Sequence, residues 1–327
     1  MPHRPAKLDI LRSRAARTKG RWRMAVMASC VALAAPAQAQ DKSGWLHDAL
    51  DLPGNVILSG SSRWRYEALD GQSRAGFGLR DDLVSIRTTL LGEYRGDGFR
   101  IGAEVYDSRA YGANRGSAIS TSEVNALELV QAYVAAKDVA LPMLGAKADV
   151  QLGRFMLDLG GRRLVAADDY RNTTNGFTGI RVDLRGTGGT RTTLFYTLPQ
   201  QRRPDDNASI RDNEIAFDKE SFDLRLWGGL VSRPAVFGKT MAEISYFGLA
   251  ERDMAGRPNR NRHLHSVGGR LLLAPAAGPV DYELEGIYQF GRIRASTAAT
   301  AASLDVSAWF THAETGYSFT GPLKARL

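Results

Sequence analysis

The chain has 327 residues, 43% of them hydrophobic, and a formal net charge of +8. Such a surplus of basic residues is typical of proteins that bind nucleic acid. One cysteine excludes an intrachain disulfide. The position of the charges along the chain decides whether the folded part is basic at all.

Residues 1–39 predict a secretory signal peptide. Eight basic residues and one acid precede the apolar run MAVMASCVALAAP at 24–36, and Ala37-Gln38-Ala39 has the small-x-small pattern of a cleavage site. We therefore expect cleavage before Gln40 by the general secretory route. The apolar run is about a dozen residues, whereas a transmembrane helix needs about 20.

Removing this segment changes the chemistry of what remains. It carries seven of the eight units of net positive charge, so the mature chain is near +1 and nucleic acid is not expected as a partner. The removed segment also contains Cys30, so disulfide and thiol chemistry are not expected in the mature chain. The alternative of a lipoprotein cleavage site at Met27-Ala28-Ser29-Cys30 is less favoured, because only six apolar residues precede the cysteine.

The first mature segment, 58–68, alternates with a period of two, which is typical of a β-strand. Trp64 and Tyr66 share one face, while Arg63 and Arg65 share the other. The same alternation returns at 84–94, 100–105, 178–185, 222–230 and 281–290, and the facing is ambiguous at 126–137 and 305–319. The pattern predicts twelve strands, at 55–69, 82–95, 98–108, 124–138, 145–158, 175–186, 189–199, 218–233, 238–252, 262–274, 279–293 and 303–320.

The connections between these strands alternate strictly between short and long. Short turns such as GDG at 96–98 and GTGG at 186–189 are followed by long polar loops such as 109–123 and 159–174. This sorting is typical of an outer-membrane barrel, with tight turns on one side and longer loops on the other. We therefore expect an all-β, antiparallel transmembrane β-barrel.

A barrel fixes where its charges point. A lipid-facing arginine costs about 2–4 kcal/mol at the bilayer midplane, so the alternating arginines should face the lumen. Six arginines meet this criterion: Arg63, Arg65, Arg87, Arg181, Arg185 and Arg225. The sequence leaves open whether they hold anions or pair with the lumen acids Glu67, Glu93, Glu104, Asp183, Asp223, Glu283 and Glu285.

Residues 152–184 resemble the alginate-export family of outer-membrane barrels. Four motifs carry the resemblance: Gly153-Arg154, Gly161-Arg162-Arg163-Leu164, Asn172-Thr173 and Phe177-Thr178-Gly179-Ile180-Arg181. RWRYE at 63–67 also looks like the first strand of that family. The resemblance covers the mature chain, which we treat as a single domain of residues 40–327.

The resemblance implies a barrel of about 18 strands, with a basic lumen that passes an anionic uronic-acid polymer. It also implies a monomer that lies in outer-membrane lipid. The implied ligands are an anionic polysaccharide or small anionic solutes, and the implied protein partners are periplasmic secretion proteins. The expected pore-lining residues are Arg63, Arg65, Glu67, Arg87, Arg100, Glu104, Arg154, Arg163, Arg181, Asp183, Arg185 and Arg225.

Two segments depart from that family. FMLDLGG at 155–161 and DDYR at 168–171 replace more polar, tryptophan-bearing versions, which leaves the polymer open. The sequence stops at SFTGPLKARL, where a thirteenth strand would begin, so we expect a barrel that lacks about six C-terminal strands.

Other chemistry has weaker support. Asp168-Asp169 is interpreted as a solvated loop rather than a cation site, and His263-x-His265 lacks a third ligand for zinc. Ser266 has no Gly-x-Ser-x-Gly motif, so a hydrolase is not expected. We expect no enzyme activity, metal or cofactor. A general porin is the alternative function, and a scaffold without transport is the third.

The signal-peptide prediction has a direct test. Mass spectrometry of the protein recovered from the outer-membrane fraction should give an N-terminus at Gln40. A chain that still begins at Met1, or one that begins at a lipid-modified Cys30, contradicts it.

Overall fold

The computed structural model describes residues 45–167, 170–254, 256–321 and 325–327. The predicted signal peptide and the Asp168-Asp169 pair lie outside these ranges. The described residues belong to one compact unit, Ser43–Leu327. Among them, no helix has the length and hydropathy needed to cross a bilayer.

Twelve strands dominate the described part of the chain, as the sequence predicts. Two short helices, α1 (Trp45–Ala49) and α2 (Asn207–Arg211), and two 3₁₀ turns, Pro142–Leu144 and Thr187–Gly189, are the described helical segments. The strands are β1 (Val56–Asp70), β2 (Arg80–Arg95), β3 (Phe99–Tyr111), β4 (Asn125–Leu141), β5 (Ala146–Phe155), β6 (Phe177–Arg185), β7 (Arg191–Pro199), β8 (Leu224–Phe237), β9 (Thr240–Glu251), β10 (His263–Leu273), β11 (Val280–Arg294) and β12 (Ser303–Tyr317).

The strands form one antiparallel sheet in which every strand pairs with its neighbours in sequence. Over the described residues the sheet does not close, because β1 and β12 are the two ends of the strand order. Beyond β12, the backbone of Leu327 pairs in both directions with that of Tyr317. The fold class is therefore all-β and antiparallel, as predicted.

The strand boundaries differ most at β8. The sequence predicts a start at 218, whereas the strand begins at Leu224. Lys219 instead pairs as an isolated bridge with Gln201, and the N–H of Leu224 closes a turn onto Ser221. Residues 218–223 therefore belong to the long loop after β7, which this bridge ties together.

The sheet has two chemically different faces. We call the face that carries Arg63, Arg87, Phe195 and Phe247 the covered face, because the long loop after β5 packs on it. The opposite side is the open face. It exposes Trp64 and Tyr66 of β1 and, further round, Ile244 and Trp309, with 72%, 68%, 72% and 78% of their surface accessible.

The structure explains why the facing of residues 126–137 and 305–319 is ambiguous in the sequence. In β4 the register shifts between Glu104 and Val105 on the partner strand, so a bulge breaks the alternation. In β12 the alternation is regular, and Phe310 and His312 lie on the covered face because they pair with Ile287 and Glu285. Bulges and mixed composition therefore explain why the sequence pattern was uninformative there.

The covered face of the central strands is apolar. The loop after β5 inserts Leu157, Leu159 and Val165 into a buried cluster with the strand residues Phe155, Phe177, Phe195, Leu230 and Phe247, and Leu226 packs against it. This corrects the prediction for β8. Arg225 is adjacent to Leu226 and so lies on the open face, because neighbouring strand residues point to opposite sides. The sequence pattern predicts that the apolar residues of β8 face lipid. In the structure they pack against the apolar residues of the inserted loop.

Close packing between β8 and β9 requires a glycine. Gly228 has φ +147°, and a Cβ there would lie 2.1 Å from the carbonyl oxygen of Tyr246. Gly228→Ala should therefore destabilise the folded sheet by about 1–3 kcal/mol. Gly286→Ala is the matched control, because a Cβ there meets nothing within 4 Å. The measurement is the folded band in unheated gel electrophoresis across a urea series, and equal midpoints for both variants would contradict the expectation.

Candidate pore-lining site

Three predicted arginines of β1 and β2 converge on the inserted loop. Arg63 lies directly opposite Arg87 in the register of the two strands. An Nη of Arg63 donates to the carbonyl oxygen of Arg171, and Nη1 of Arg87 donates to the same oxygen at 3.5 Å. Nη1 of Arg65 donates to the carbonyl of Tyr170. We call Arg63, Arg65 and Arg87 the arginine patch.

Aromatic rings and one acid complete the patch. The guanidinium of Arg65 lies 5.3 Å from the centre of the Tyr170 ring, and that of Arg87 lies 5.6 Å from the Tyr106 ring. Such contacts contribute about 0.5–1 kcal/mol at exposed sites. Nε of Arg65 also pairs with Glu67 at 3.0 Å. Among the described residues, the patch therefore includes the Glu67 carboxylate from its own strand, together with peptide carbonyls from the loop.

The Asn172-Thr173 motif holds the loop against the patch. Asn172 is fully buried, and its amide donates to the carbonyls of Ile86, Arg109 and Glu123 at 2.9–3.1 Å. The backbone carbonyl of Asn172 accepts a 2.6 Å hydrogen bond from the Ser108 hydroxyl. A side-chain amide with two donor hydrogens suits this position. The motif is therefore an anchor that sets the position of residues 170–171.

The predicted residues of β6 form a separate, neutralised group. Arg181 pairs with Asp183 at 2.7 Å, and Asp183 also accepts from Thr193 at 2.6 Å. Arg185 bridges Asp149 at 2.7 Å and Asp138 at 2.8 Å. Both arginines therefore form ion pairs with carboxylates of the same sheet.

Arg100 and Glu104 lie between these two groups. Nη2 of Arg100 donates to Gln151 at 3.2 Å, its Nη1 is 3.9 Å from Glu93, and its guanidinium faces the Tyr133 ring at 5.6 Å. Glu104 is buried and accepts from the amide of Gln131. Arg100 is therefore weakly paired, and Glu104 is held by a neutral partner.

Arg154 belongs to a buried cluster of carboxylates instead of the patch. Its Nη1 and Nη2 donate at 2.8 Å to Glu128 and Glu220 respectively. Glu128 is fully buried and also accepts the backbone N–H of Asp218 at 2.7 Å. Asn125 donates to the Asp218 carboxylate at 2.8 Å. The cluster thus ties the loop after β7 to β4.

Burial, together with the nearby charge of Glu128, raises the pKa of Asp218 to about 7. Hydrogen bonds from the Arg203 N–H and from Asn125 oppose this shift. Because the folded state binds the proton more tightly than the unfolded chain, the Asp218 contribution favours folding at low pH and is lost as pH rises from about 4 to about 7.

Arg163 reaches across to the other end of the sheet. It pairs with Glu285 of β11 at 3.3 Å, and its guanidinium lies 5.4 Å from the Phe310 ring. Gly161 allows this approach, because a Cβ there would lie 2.7 Å from a Glu285 oxygen. Glu285 faces the covered side, as the alternation predicts.

Sequence reasoning missed Arg270. It donates to Glu243 and Glu283 at 2.9 Å each, with 15% of its side chain exposed. The alternation of β10 could have found it, because Arg270 shares its face with Ser266. The structure thus brings Arg63, Arg65, Arg87 and Glu67 together, and places Arg154, Arg163, Arg181, Asp183 and Arg185 in separate ion pairs. Arg225 has no ion pair within the described residues.

Of the two histidines of the His263-x-His265 motif, His265 lies among aromatic rings. His265 stacks on Tyr246 and Phe290 at 6.0 and 5.4 Å, and its Nδ1 is 2.8 Å from the Tyr246 hydroxyl. Ser266, on the other face, accepts from Gln289 at 3.0 Å. In the described part of the chain, no group of three His, Cys, Asp or Glu residues could hold a metal ion.

Asp218 provides a pH test of the buried cluster. We expect the loop after β7 to be cleaved faster by protease at pH 8 than at pH 5.5, relative to a cleavable reference peptide. Asp218→Asn should remove this difference, because asparagine keeps the acceptor oxygen without the charge. Asp206→Asn is the control on the same loop, since the Asp206 carboxylate is exposed. An unchanged pH dependence in Asp218→Asn would contradict the assignment.

The chain was compared with known families, curated proteins and solved structures. Residues 55–327 match the family model described as Alginate export. No curated protein matches the chain. OccD3 (OpdP) of Pseudomonas aeruginosa, a solved structure, is similar with a TM-score of 0.36 and 10% identity over 73% of this chain. The chain spans 57% of the length of that protein.

The family match covers most of the chain and includes all twelve strands. The chain belongs to the Alginate export family.

Proposed function

We propose that the chain forms part of an outer-membrane channel that exports an anionic polysaccharide resembling a polyuronate. The observation that carries this proposal is the arginine patch. Three guanidinium groups from two neighbouring strands are directed at the same two residues of an inserted loop, whose peptide carbonyls accept hydrogen bonds from them. A sugar carboxylate is a stronger acceptor for a guanidinium than a neutral carbonyl.

The contrast with β6 supports the choice of the patch. Arg181 and Arg185 already hold carboxylates at 2.7 Å, so exchange for a sugar carboxylate would replace one ion pair by another. At Arg87, which donates to the carbonyl of Arg171, the exchange replaces an ion–dipole contact by an ion pair. A passing polymer therefore gains more from Arg87 than from Arg181 or Arg185.

Transport also requires that each contact remain weak. A polymer moves only if its binding is favourable enough to enter and weak enough to leave. Carbonyls of residues 170–171 compete for the same donors, and Glu67 shares Arg65. This competition lowers the net gain for any one carboxylate and allows successive residues of the polymer to exchange.

A general porin is the second candidate, favoured by the many neutralised pairs of the wall. Arg181–Asp183, Arg185–Asp149 and Arg270 between two glutamates give a surface of mixed charge. Such a wall favours small solutes of either sign. A scaffold without transport receives support only from the apolar cluster on the covered face of β5–β9.

Single-channel conductance separates these functions. The full-length gene product should be anion-selective in planar bilayers and should be blocked by a mannuronate oligomer. Arg63→Gln combined with Arg87→Gln should weaken the block about tenfold or more, since each hydrogen bond to a charged group contributes about 1.5–3 kcal/mol.

Arg292→Gln is the matched control, because Arg292 forms an exposed pair with Asp305 at 3.5 Å, away from the patch. It should leave the block unchanged. A channel without anion selectivity and without block by the oligomer would overturn the export function and favour the general porin. A folded protein without any conductance would favour the scaffold.

A further inference from the structure

Arg225 lies on the open face of the sheet, the face that an outer-membrane barrel turns to lipid. Leu226 packs on the covered face, so Arg225 points to the opposite side, and its Nε is buried without a hydrogen-bond partner among the described residues. A lipid-facing arginine costs about 2–4 kcal/mol at the bilayer midplane and about 0–1 kcal/mol near the interfaces. The depth of Arg225 and its neighbours therefore determine what this charge does.

An aromatic row marks the depth of Arg225. Trp227, two residues further along β8 on the same face, has its ring 6.3 Å from that of His265 on β10. His265 stacks on Phe290 of β11 at 5.4 Å. Such rows of aromatic side chains lie at the interfaces of outer-membrane barrels. Arg225 is on the long-loop side of this row, because β8 begins at Leu224, directly after a long loop. It therefore lies at the level of the lipid headgroups.

Two further basic residues lie beside Arg225. The register places Arg225 opposite Ala250 and Ala250 opposite His263, so only a small side chain separates the two on this face. Arg252 directly follows β9, its N–H donates to the carbonyl of Asp223 at 2.8 Å, and its side chain is exposed. We call Arg225, Arg252 and His263 the basic cluster.

The basic cluster has a surplus of positive charge. None of its three members forms an ion pair with another described residue. Two acids near it already have cations, since Asp253 pairs with Arg294 and Asp305 pairs with Arg292 at 3.5 Å. Asp223, opposite Arg252 in the backbone pairing, offsets one of the two arginines of the cluster. At least one positive charge is therefore available to an anionic group in the headgroup layer.

An apolar groove begins beside the basic cluster and extends toward the middle of the sheet. It has a volume of about 730 Å³ on the open face of β6–β10, and Trp227 and Tyr246 line it nearest to the cluster. Gly229 opens the groove, because it has no side chain in the row between Leu194 and Tyr246. The lining is aliphatic, aromatic or glycine apart from Ser245. The groove therefore suits a hydrocarbon chain.

The cluster and the groove together match one class of ligand. A guanidinium binds a phosphate through two parallel hydrogen bonds, and an acyl chain in a groove makes van der Waals contacts along its length. We propose that the open face of β6–β10 binds one phosphorylated lipid of the outer leaflet, with its phosphate at the basic cluster and an acyl chain in the groove. The proposal shares with the export function only the location in an outer membrane, and it does not depend on the cargo.

Native mass spectrometry of the full-length protein in detergent tests the lipid site. The wild type should retain one molecule of diphosphoryl lipid A. A lipid with the same acyl chains and no phosphate should bind at least tenfold more weakly. Arg225→Gln combined with Arg252→Gln should weaken retention of lipid A tenfold or more, since each hydrogen bond to a charged group contributes about 1.5–3 kcal/mol. Excess inorganic phosphate should not displace the lipid.

Arg233→Gln is the matched control. Arg233 is exposed on the same face of the same strand, eight residues further along, at the short-turn end of the sheet. Retention of lipid A should stay within twofold of the wild type. Val231→Trp tests the groove without a change of charge, because Val231 lines the groove and is 44% exposed. The added ring should fill the groove and weaken retention threefold or more in a protein that still folds.

Several outcomes contradict the lipid site. Equal retention of lipid A by the wild type and by the double arginine variant would overturn it, as would equal binding of the lipid without phosphate. Displacement of lipid A by inorganic phosphate would also overturn it, because the cluster would then be a site for free phosphate. Unchanged retention in Val231→Trp would overturn the assignment of the acyl chain to the groove.

Conductance distinguishes failure of the lipid site from failure of the export function. Arg225→Gln with Arg252→Gln should leave the block by the mannuronate oligomer unchanged, because Arg225 lies on the face opposite the arginine patch. Normal block without phosphate-dependent retention of lipid removes the lipid site only. Retention that depends on the phosphate and on the basic cluster, in a protein without block, removes the export function only.

Discussion

The structure depends on the pairing of peptide groups between neighbouring antiparallel strands. In a hydrocarbon environment each unpaired N–H or C=O costs several kcal/mol, so a chain that crosses a membrane as strands must pair each strand with the next. The sheet obeys this over twelve consecutive hairpin-connected strands. Because side chains then alternate strictly, the same backbone presents an apolar face and a polar face. The chemistry of the covered face follows from that division.

On the covered face, the inserted loop after β5 determines how the side chains are arranged. The side-chain nitrogen of Asn172 lies within hydrogen-bond distance of three backbone carbonyls, which share its two hydrogens, and the apolar residues of the loop pack against Phe195 and Phe247. This fixes where the carbonyls of residues 170–171 meet the arginines of β1 and β2. One loop therefore both fills the middle of the covered face and defines the patch at its edge.

The arginines of the wall consequently have two different states. Those of β6 and β10 lie beside acids at strand neighbours, where attraction between close charges is strong because water is partly excluded. Those of the patch contact loop carbonyls and aromatic rings, and Arg65 also pairs with Glu67. Identical side chains thus have different surroundings according to what the neighbouring strand and the inserted loop place beside them.

The sequence by itself determined the twelve strands, their antiparallel order, the apolar face of Trp64 and Tyr66 and the opposite face of Arg63 and Arg87, because a period of two depends only on adjacent residues. Only the tertiary structure decided which arginines are neutralised, that Arg270 belongs to the wall, and that Arg225 lies on the other face. Arg63 meets a partner 108 positions away in the chain, and such a contact depends on how the loop folds back over the sheet.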